Sequence, residues 1–443
     1  MNLSAIEHHS YDEYCYPLNE NELKISLKPA KDICKVFLIW GDPFDSVKTE
    51  KKWQWKSQSI QMEEKKELEE VFIWSKKIIP PYKRCKYYFE LHSENETLLF
   101  FENKILSPAD FKKDPYGIQL FIFPWMNKAD IIAPPKWAEE TVWYQIFPAR
   151  FCRSSNSQVQ NVKEWADSKT PVKNKDFFGG NLEGIIEKLD YLEDLGITGL
   201  YLNPVNLSAS QHKYDTTDYL QIDPEFGSKE IMKNLVDLSH KRGMKVMLDG
   251  VFNHTGWNFF AWQDLVKNRQ NSAYADWYIV NDWSFNSFPS DGAASGKFFS
   301  FAFTDYMPKL NTNNPQVQDY IIGVCKKWIE DYGIDAIRLN VANELSHTFC
   351  SRLSHSLKAL KKDFFIAGEV WNSAMPWLRS GEFDSVINIE DANIISNEID
   401  IQANATSTKE VTKSSIENYG KAVKESENTG NNTNNNQKDE TTG

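Results

Sequence analysis

Short runs that alternate apolar and polar residues fill the chain from its start to about residue 130. They read ELKISLKP, ICKVFLIWGDPF, EEVFIWSKK, KRCKYYFELH and TLLFFENKIL. A period of two marks strands with one buried face. Turn chemistry parts the runs at Gly41-Asp42-Pro43, Pro80-Pro81 and Ser93-Glu94-Asn95. Regular short strands of this kind predict a β-sandwich over residues 1–130. The stretch FPWMNKADIIAPPKW follows, and Pro124, Pro134 and Pro135 mark it as a stiffened linker.

The pattern changes after Thr141. Strand-like and helix-like segments now alternate, which predicts βαβ units and a parallel sheet. The candidate strands are Val142–Phe147, Gly199–Asn203, Lys245–Val251, Ile334–Leu339, Phe364–Gly368 and Ser385–Ile389. Helix patterns lie between them, such as NLEGIIEKLDYLEDLG and SKEIMKNLVDLSHKRG. Each opens on a capping residue, Asn181 or Ser228, and closes on a glycine, Gly196 or Gly243. Phe252 to about Leu310 is too long for a βα loop and reads as a small inserted domain over the active face.

The stretch GIDAIRLNVANE, residues 333–344, joins this pattern to chemistry. Ile334–Leu339 alternates as a buried strand does, and polar residues then gather where it stops: Arg338, Asn340, Asn343 and Glu344. Strand ends at the C-terminal face of a parallel barrel carry its chemistry. This tip is therefore either an active site or the remains of one.

The tail departs from everything before it. Residues 390–443 contain no Phe, Leu or Trp and end Asn-rich. Such a segment cannot bury enough apolar surface to fold alone, so a polar, disordered tail is expected over 391–443, with a bland helix near 391–402 as the alternative. A closed barrel needs about eight strands. The fold expected is α/β: a β-sandwich, then an incomplete (β/α)8 barrel of TIM type over 131–390 with its insert at about 252–310, then the tail.

Composition narrows the partners. The net charge of −12 argues against nucleic acid and anionic membrane. No apolar run is long enough to span a bilayer. The N-terminus, MNLSAIEHHSYDEY, lacks a basic patch followed by an apolar run, so no signal peptide is read there. The cysteines Cys15, Cys34, Cys85, Cys152, Cys325 and Cys350 are scattered without a CxxC pair, which suits reduced thiols in the cytoplasm. The 15 Trp and 18 Tyr fill the core for the most part, but flat aromatic faces also pack on neutral sugars.

Seven motifs occur in one order: AEETVWYQIFPARF, FFGGNLEGI, HKYDTTDYLQIDPEFG, DGVFNH, MPKLNTNNP, GIDAIRLNVANE and GEVW. Together they resemble the α-amylase family of glycoside hydrolases, and more narrowly its neopullulanase, cyclomaltodextrinase and maltogenic amylase group. The resemblance runs from about residue 20 to about 389, and the first domain is similar to that group's starch-binding-like N-terminal domain. The substrate this implies is an α-glucan oligosaccharide, with no cofactor. In this group the N-terminal sandwich commonly covers a partner's cleft, so a homodimer through that domain is one arrangement the resemblance implies.

The resemblance also assigns roles. Retaining glycosidases use two carboxyl groups roughly 5 Å apart, one acid/base and one nucleophile. Glu369 in GEVW matches the acid/base; the plainer reading is a salt-bridged strand-end glutamate. Position 340, where the family carries the nucleophilic Asp, holds Asn340. An amide has nearly the same shape but is neutral and a poor nucleophile. Arg338 matches the arginine that orients the missing carboxylate, and is expected to have lost its natural partner. Glu344 is either a partial substitute for that partner or a cap on the next turn. The family's third carboxylate, an Asp after a His near the seventh strand, has no counterpart, because His355 is the last histidine.

Asp249 and His254 in DGVFNH match residues that brace the site and bind the sugar at the cleavage point; for Asp249 a strand-end cap is the alternative. Tyr214 matches the aromatic that stacks on the same sugar, or is a core tyrosine, and Asp215 stands beside it. Trp371 lines the aglycone side or packs on the rim, and Asn343 lies in the candidate cleft. Relatives often hold calcium with an Asp where this chain has Asn181, so no metal is expected. Three readings stay open: an impaired α-glucan hydrolase, a silent maltodextrin-binding protein, and a non-functional fragment.

Overall fold

The computed structural model describes residues 1–49, 53–114, 117–131, 133–160, 162–164, 172–173, 176–286, 292–379 and 381–387. The tail expected over 391–443 and the last two positions of the strand expected over Ser385–Ile389 lie outside these residues. The chain forms two compact units. One comprises Met1–Pro134 with Ser373–Asp384, and the other Pro135–Asn372 with the chain from Ser385.

In the first unit the alternating runs become two antiparallel sheets. Cys15–Pro17, Leu23–Leu27, Phe72–Ile78 and Glu64–Glu67 lie side by side in that order. Ile105–Leu106, Thr97–Phe100, Cys85–His92, Lys35–Gly41 and Gln58–Gln61 make the second sheet, and Phe121–Phe123 also pairs with Cys85–His92. In Cys85–His92 every other residue is buried, and Cys85, Tyr87, Phe89 and Leu91 join Leu23, Ile25, Leu27, Val36 and Leu38 in one core. This is the β-sandwich that the period of two predicts. The stretch read as a linker is more folded than its prolines suggest. Phe123 closes a strand, Met126 is buried in the same core, and Lys136–Glu139 is a short helix.

The second unit is built on a parallel sheet of six strands among the described residues. They are β1 (Trp143–Ile146), β2 (Gly199–Leu202), β3 (Lys245–Gly250), β4 (Ala336–Leu339), β5 (Phe365–Glu369) and β6 (Ser385–Ile387), paired in that order. Each candidate strand is found within the described residues: the first four are shorter by one or two residues, and the one expected over Phe364–Gly368 lies one residue later, at Phe365–Glu369. The sheet is part of a TIM-type barrel. The first helix pattern breaks at Lys188 into α1 (Leu182–Glu187) and α2 (Leu189–Asp194), while the second is the continuous α3 (Lys229–Lys241). The caps work as read: Asn181 accepts from the Gly184 N–H and Ser228 from the Ile231 N–H. Gly196 and Gly243 follow in the left-handed region, at φ +81° and +74°, where a side chain would be strained.

Register fixes which side chains point inward. Tyr201, Met247, Ala336, Phe365 and Ala367 pack with Trp137 and Trp143 into an apolar plug low in the sheet. Two residues further along, the same face carries Asp249 opposite Arg338, and then Glu369. Apolar floor and polar rim thus follow from one alternation. The inserted segment returns through bridges between His254 and Lys309 and between Tyr278 and Leu310, over a buried aromatic cluster that includes Phe259, Trp262, Trp277 and Phe298.

Candidate active site

The tip of β4 turns sharply. Asn340 donates its N–H to the Gly250 carbonyl at the end of β3. Val341 then adopts φ +48°, ψ +46°, a left-handed conformation that is rare for a β-branched residue. This turn aims the Val341 N–H at Oε2 of Glu369, 2.8 Å away. Glu369 is 4% exposed and comes from the last residue of β5.

Arg338 is the hub: the amide of Asn340 lies opposite it, and two carboxylates the sequence reading did not pair with it share its charge. Nη1 donates to Asp249 at 2.7 and 3.0 Å and to Asn340 Oδ1 at 2.8 Å. Nη2 meets Glu369 Oε2 at 2.8 Å. The guanidinium therefore bridges the carboxylates of Asp249 and Glu369, and only its Nε lacks a partner. A fork of donors suits this sharing, because it reaches several acceptors from a fixed plane. Glu344 takes no part. Its carboxylate pairs with Lys309 at 2.8 Å, and the reading of it as a substitute partner for Arg338 is corrected.

Asp249 is tied from three sides. It is 3% exposed, and besides Arg338 it accepts from the Tyr201 hydroxyl at 2.8 Å and the Tyr214 hydroxyl at 3.0 Å. Burial pushes its carboxyl above the usual range, against the opposing pull of Arg338 and the two hydroxyls. Burial and the neighbouring Asp249 likewise raise both phenols. With its oxygens taken from three sides, Asp249 is unsuited to attack a carbon.

His254 is 1% exposed and stacks against Phe301 with ring centroids 5.0 Å apart. Burial, and then the charge of Lys309, push its imidazole down to about 3, so it is neutral across the physiological range. Nδ1 lies 3.3 Å from the Asn253 amide, and no described residue meets Nε2. Asn343 Oδ1 is likewise without a partner. Asp215 is buried and accepts from Ser208 and Ser210. Trp371 is 51% exposed just beyond β5.

Several residues escaped the sequence reading. Tyr201 sits on the inward face of β2, where period-two counting could have placed it beside Asp249. Asn203 joins Gln145 to the Tyr214 hydroxyl, with bonds of 2.9 and 3.3 Å. Lys309, inside the quoted MPKLN motif, reaches both Asn253 and Glu344. The left-handed turn at Val341 left no sequence signal, since valine disfavours it.

No group of three or more His, Cys, Asp or Glu side chains among the described residues is arranged to hold a metal. Asn181, at the position where relatives often place a calcium ligand, uses its side chain to cap α1 and to reach Ser154 Oγ at 3.1 Å. All six cysteines are free. No described helix is long and apolar enough to cross a membrane.

Fold and site together define a TIM-type barrel protein with carboxylate, arginine and aromatic groups at its strand ends. Residues 145–439 match the family described as "Alpha amylase, catalytic domain", and residues 1–127 match "Alpha amylase, N-terminal ig-like domain". The first match runs past Ile389, where the motif resemblance stops. This chain belongs to the α-amylase family. It is 40% identical over 394 residues to a cyclomaltodextrinase of Geobacillus thermopakistaniensis, covering 88% of this chain and 64% of the relative. It is also 40% identical over 390 residues to an intracellular maltogenic amylase of Bacillus subtilis, covering 88% and 64%. A solved cyclomaltodextrinase superposes with a TM-score of 0.80 at 33% identity, covering 93% of this chain and 68% of that one. The chain thus spans less than two thirds of the length of these curated relatives.

Proposed function

We propose that this chain binds linear or cyclic maltodextrins at its strand-end site and hydrolyses them barely or not at all. One observation carries the reading: the group that faces Arg338 at the tip of β4 is the amide of Asn340. Retaining glycoside hydrolysis needs a second carboxylate to form the glycosyl ester and to offset the charge of the oxocarbenium-like transition state. Glu369 is the acid/base candidate in this reading. Asp249 is held by Arg338 and two phenols, and Glu344 by Lys309, so neither replaces the lost nucleophile. Loss of such a group costs several orders of magnitude in rate (roughly 10⁴-fold or more).

The binding half rests on Tyr214, His254 with its unpartnered Nε2, Asn343 and Trp371 around the tip. The named relatives are a cyclomaltodextrinase and a maltogenic amylase, and carried over, those names supply the substrate class. The name of the second, an intracellular enzyme, and six free cysteines support a cytoplasmic setting. Self-association through residues 1–130 belongs to the same reading and is tested by light scattering. Calorimetric titration with maltoheptaose and β-cyclodextrin, run beside a reducing-sugar assay, tests the whole. Heat of binding without released reducing ends is expected; turnover near 10 s⁻¹, about the ordinary enzyme median, would overturn it.

A further inference from the structure

The first sheet of the sandwich turns one face to the core and the other outward. Leu23, Ile25 and Leu27 point into the core, so Lys24 and Ser26 share the outward face. Register then builds rows across that face. Tyr16 lies beside Lys24 and Lys24 beside Lys77. Ser26 lies beside Ser75 and Ser75 beside Glu64, and Ile73 lies beside Lys66. A cavity of about 640 Å³ lies over these rows. That is within the range of small-molecule sites, roughly 300–1,000 Å³.

The chemistry of the face changes from end to end. At one end Lys24 and Lys77 stand directly opposite each other, and neither meets a carboxylate among the described residues. Like charges in that relation destabilise a sheet, so an anion between them would relieve a cost the fold carries. Burial raises the nearby Tyr16 phenol, while Lys77 pulls it down and Glu64 pushes it up, so that ring feels both charges. In the middle, Ser26 Oγ and Ser75 Oγ lie 2.9 Å apart, at 4% and 6% exposure. Two hydroxyls that share one hydrogen bond leave one hydrogen over, and no described acceptor takes it. The exposed carboxylate of Glu64 flanks this pair. At the far end Ile73 and Leu68 supply an apolar surface.

We propose that this outward face is a nucleotide site, taking a nucleoside monophosphate with its phosphate at Lys24 and Lys77 and its base at Ile73 and Leu68. Phosphate oxygens accept from ammonium and hydroxyl groups, and ribose hydroxyls donate to a carboxylate such as Glu64. Four residues separate Lys77 from Ile73 along one strand, about 14 Å at 3.4 Å per residue, the length of such a ligand when extended. The face lies wholly within the first unit, and the proposal stands apart from the glucan reading. The competing occupant is the surface of a second copy, because the chain carries a net charge of −12. Glu13 and Glu64 line the same cavity and oppose a wholly acidic partner. A small molecule that joins an anion to hydroxyl donors satisfies both signs of charge.

The test is calorimetric titration of the full chain with AMP, adenosine and inorganic phosphate, with thermal melts and light scattering in parallel. AMP is expected to bind at least about ten-fold more tightly than adenosine or phosphate. Lys24→Ala and Lys77→Ala should each weaken AMP binding about ten-fold, the effect of losing one charge-assisted bond. Lys77 is exposed, so its removal should leave the melt unchanged and keeps the test readable if Lys24→Ala folds poorly. No heat with AMP at about 1 mM overturns the site. AMP binding that neither variant disturbs places the ligand elsewhere and also overturns it. Phosphate binding as tightly as AMP would reduce the face to a plain anion site and overturn the assignment to a nucleotide. Self-association that Lys24→Ala abolishes, in a chain that binds no AMP, would make the face a subunit contact instead.

Discussion

Nη1 of Arg338 donates to Oδ1 of Asn340 at 2.8 Å, through the nitrogen that also holds both oxygens of Asp249. In the proposed reading this amide stands where the family carries a carboxylate, and it accepts the bond that would orient one. Shape is retained and charge is lost. Asn340→Asp puts a formal partner for Arg338 back on β4. Turnover of maltoheptaose by this variant is expected to stay below about 0.1 s⁻¹, a hundredth of the ordinary median of about 10 s⁻¹. The reason is that the third carboxylate the resemblance implies, an Asp after a His near the seventh strand, has no counterpart in the sequence after His355. A reducing-sugar assay that finds ordinary turnover would make the amide the sole defect.

The frame of this site was legible because it obeys one alternation. Period-two counting along Ile334–Leu339 places Arg338 on the inward face, and the polar cluster after Leu339 marks the tip. The six strands were found for the same reason. What could not be read is geometry between strands. Arg338 finds Asp249 and Glu369 only because β3 and β5 flank β4, and the sequence reading named neither as its partner. Glu344 lies four residues after Asn340 in the chain, but the 3-10 turn at Ala342–Glu344 directs it to Lys309. The turn at Val341 opposes local propensity, and packing overrides it.

Replacing Arg338 tests its role as hub. Arg338→Met removes the charge and keeps much of the volume. It leaves Asp249 buried with two phenols but no cation, and breaking a buried pair in this way costs about 3–5 kcal/mol. The urea midpoint should fall accordingly. A change of less than about 1 kcal/mol would show that the pair contributes little to folding.

Asp335 supplies a pH-dependent brace at the opposite end of β4. Burial opposes its ionisation, but hydrogen bonds from His240 at 2.7 Å and Lys361 at 2.8 Å prevail, and the carboxyl is held well below the usual carboxylate range. A depressed carboxyl stabilises the fold above its unfolded value of about 3.9, and the stabilisation is lost as pH falls through the folded value. Asp335→Asn should therefore lower stability by about 2 kcal/mol at pH 7. The gap between wild type and variant should close as unfolding is measured from about pH 5 downward. A gap that widens on acidification would contradict the assignment.

His254 gives the opposite sign. Its folded value of about 3 lies below the unfolded value of about 6.5. The folded state thus disfavours the proton, and acidification below the unfolded value favours unfolding. Within the folded protein the ring stays neutral, so maltodextrin affinity should be flat between about pH 5 and 8. A calorimetric series showing affinity lost with a midpoint near the free imidazole value would mean that His254 is accessible and charged.

The most direct test of a site that holds glucan without cutting it is mass spectrometry of the intact chain after exposure to a fluorinated glucosyl fluoride. Such reagents form a long-lived ester with the nucleophile of a retaining glycosidase. The predicted spectrum shows the unmodified mass, before and after prolonged incubation, for a chain that calorimetry shows to bind maltoheptaose. A stoichiometric glycosyl adduct on any carboxylate of the strand tips would contradict it.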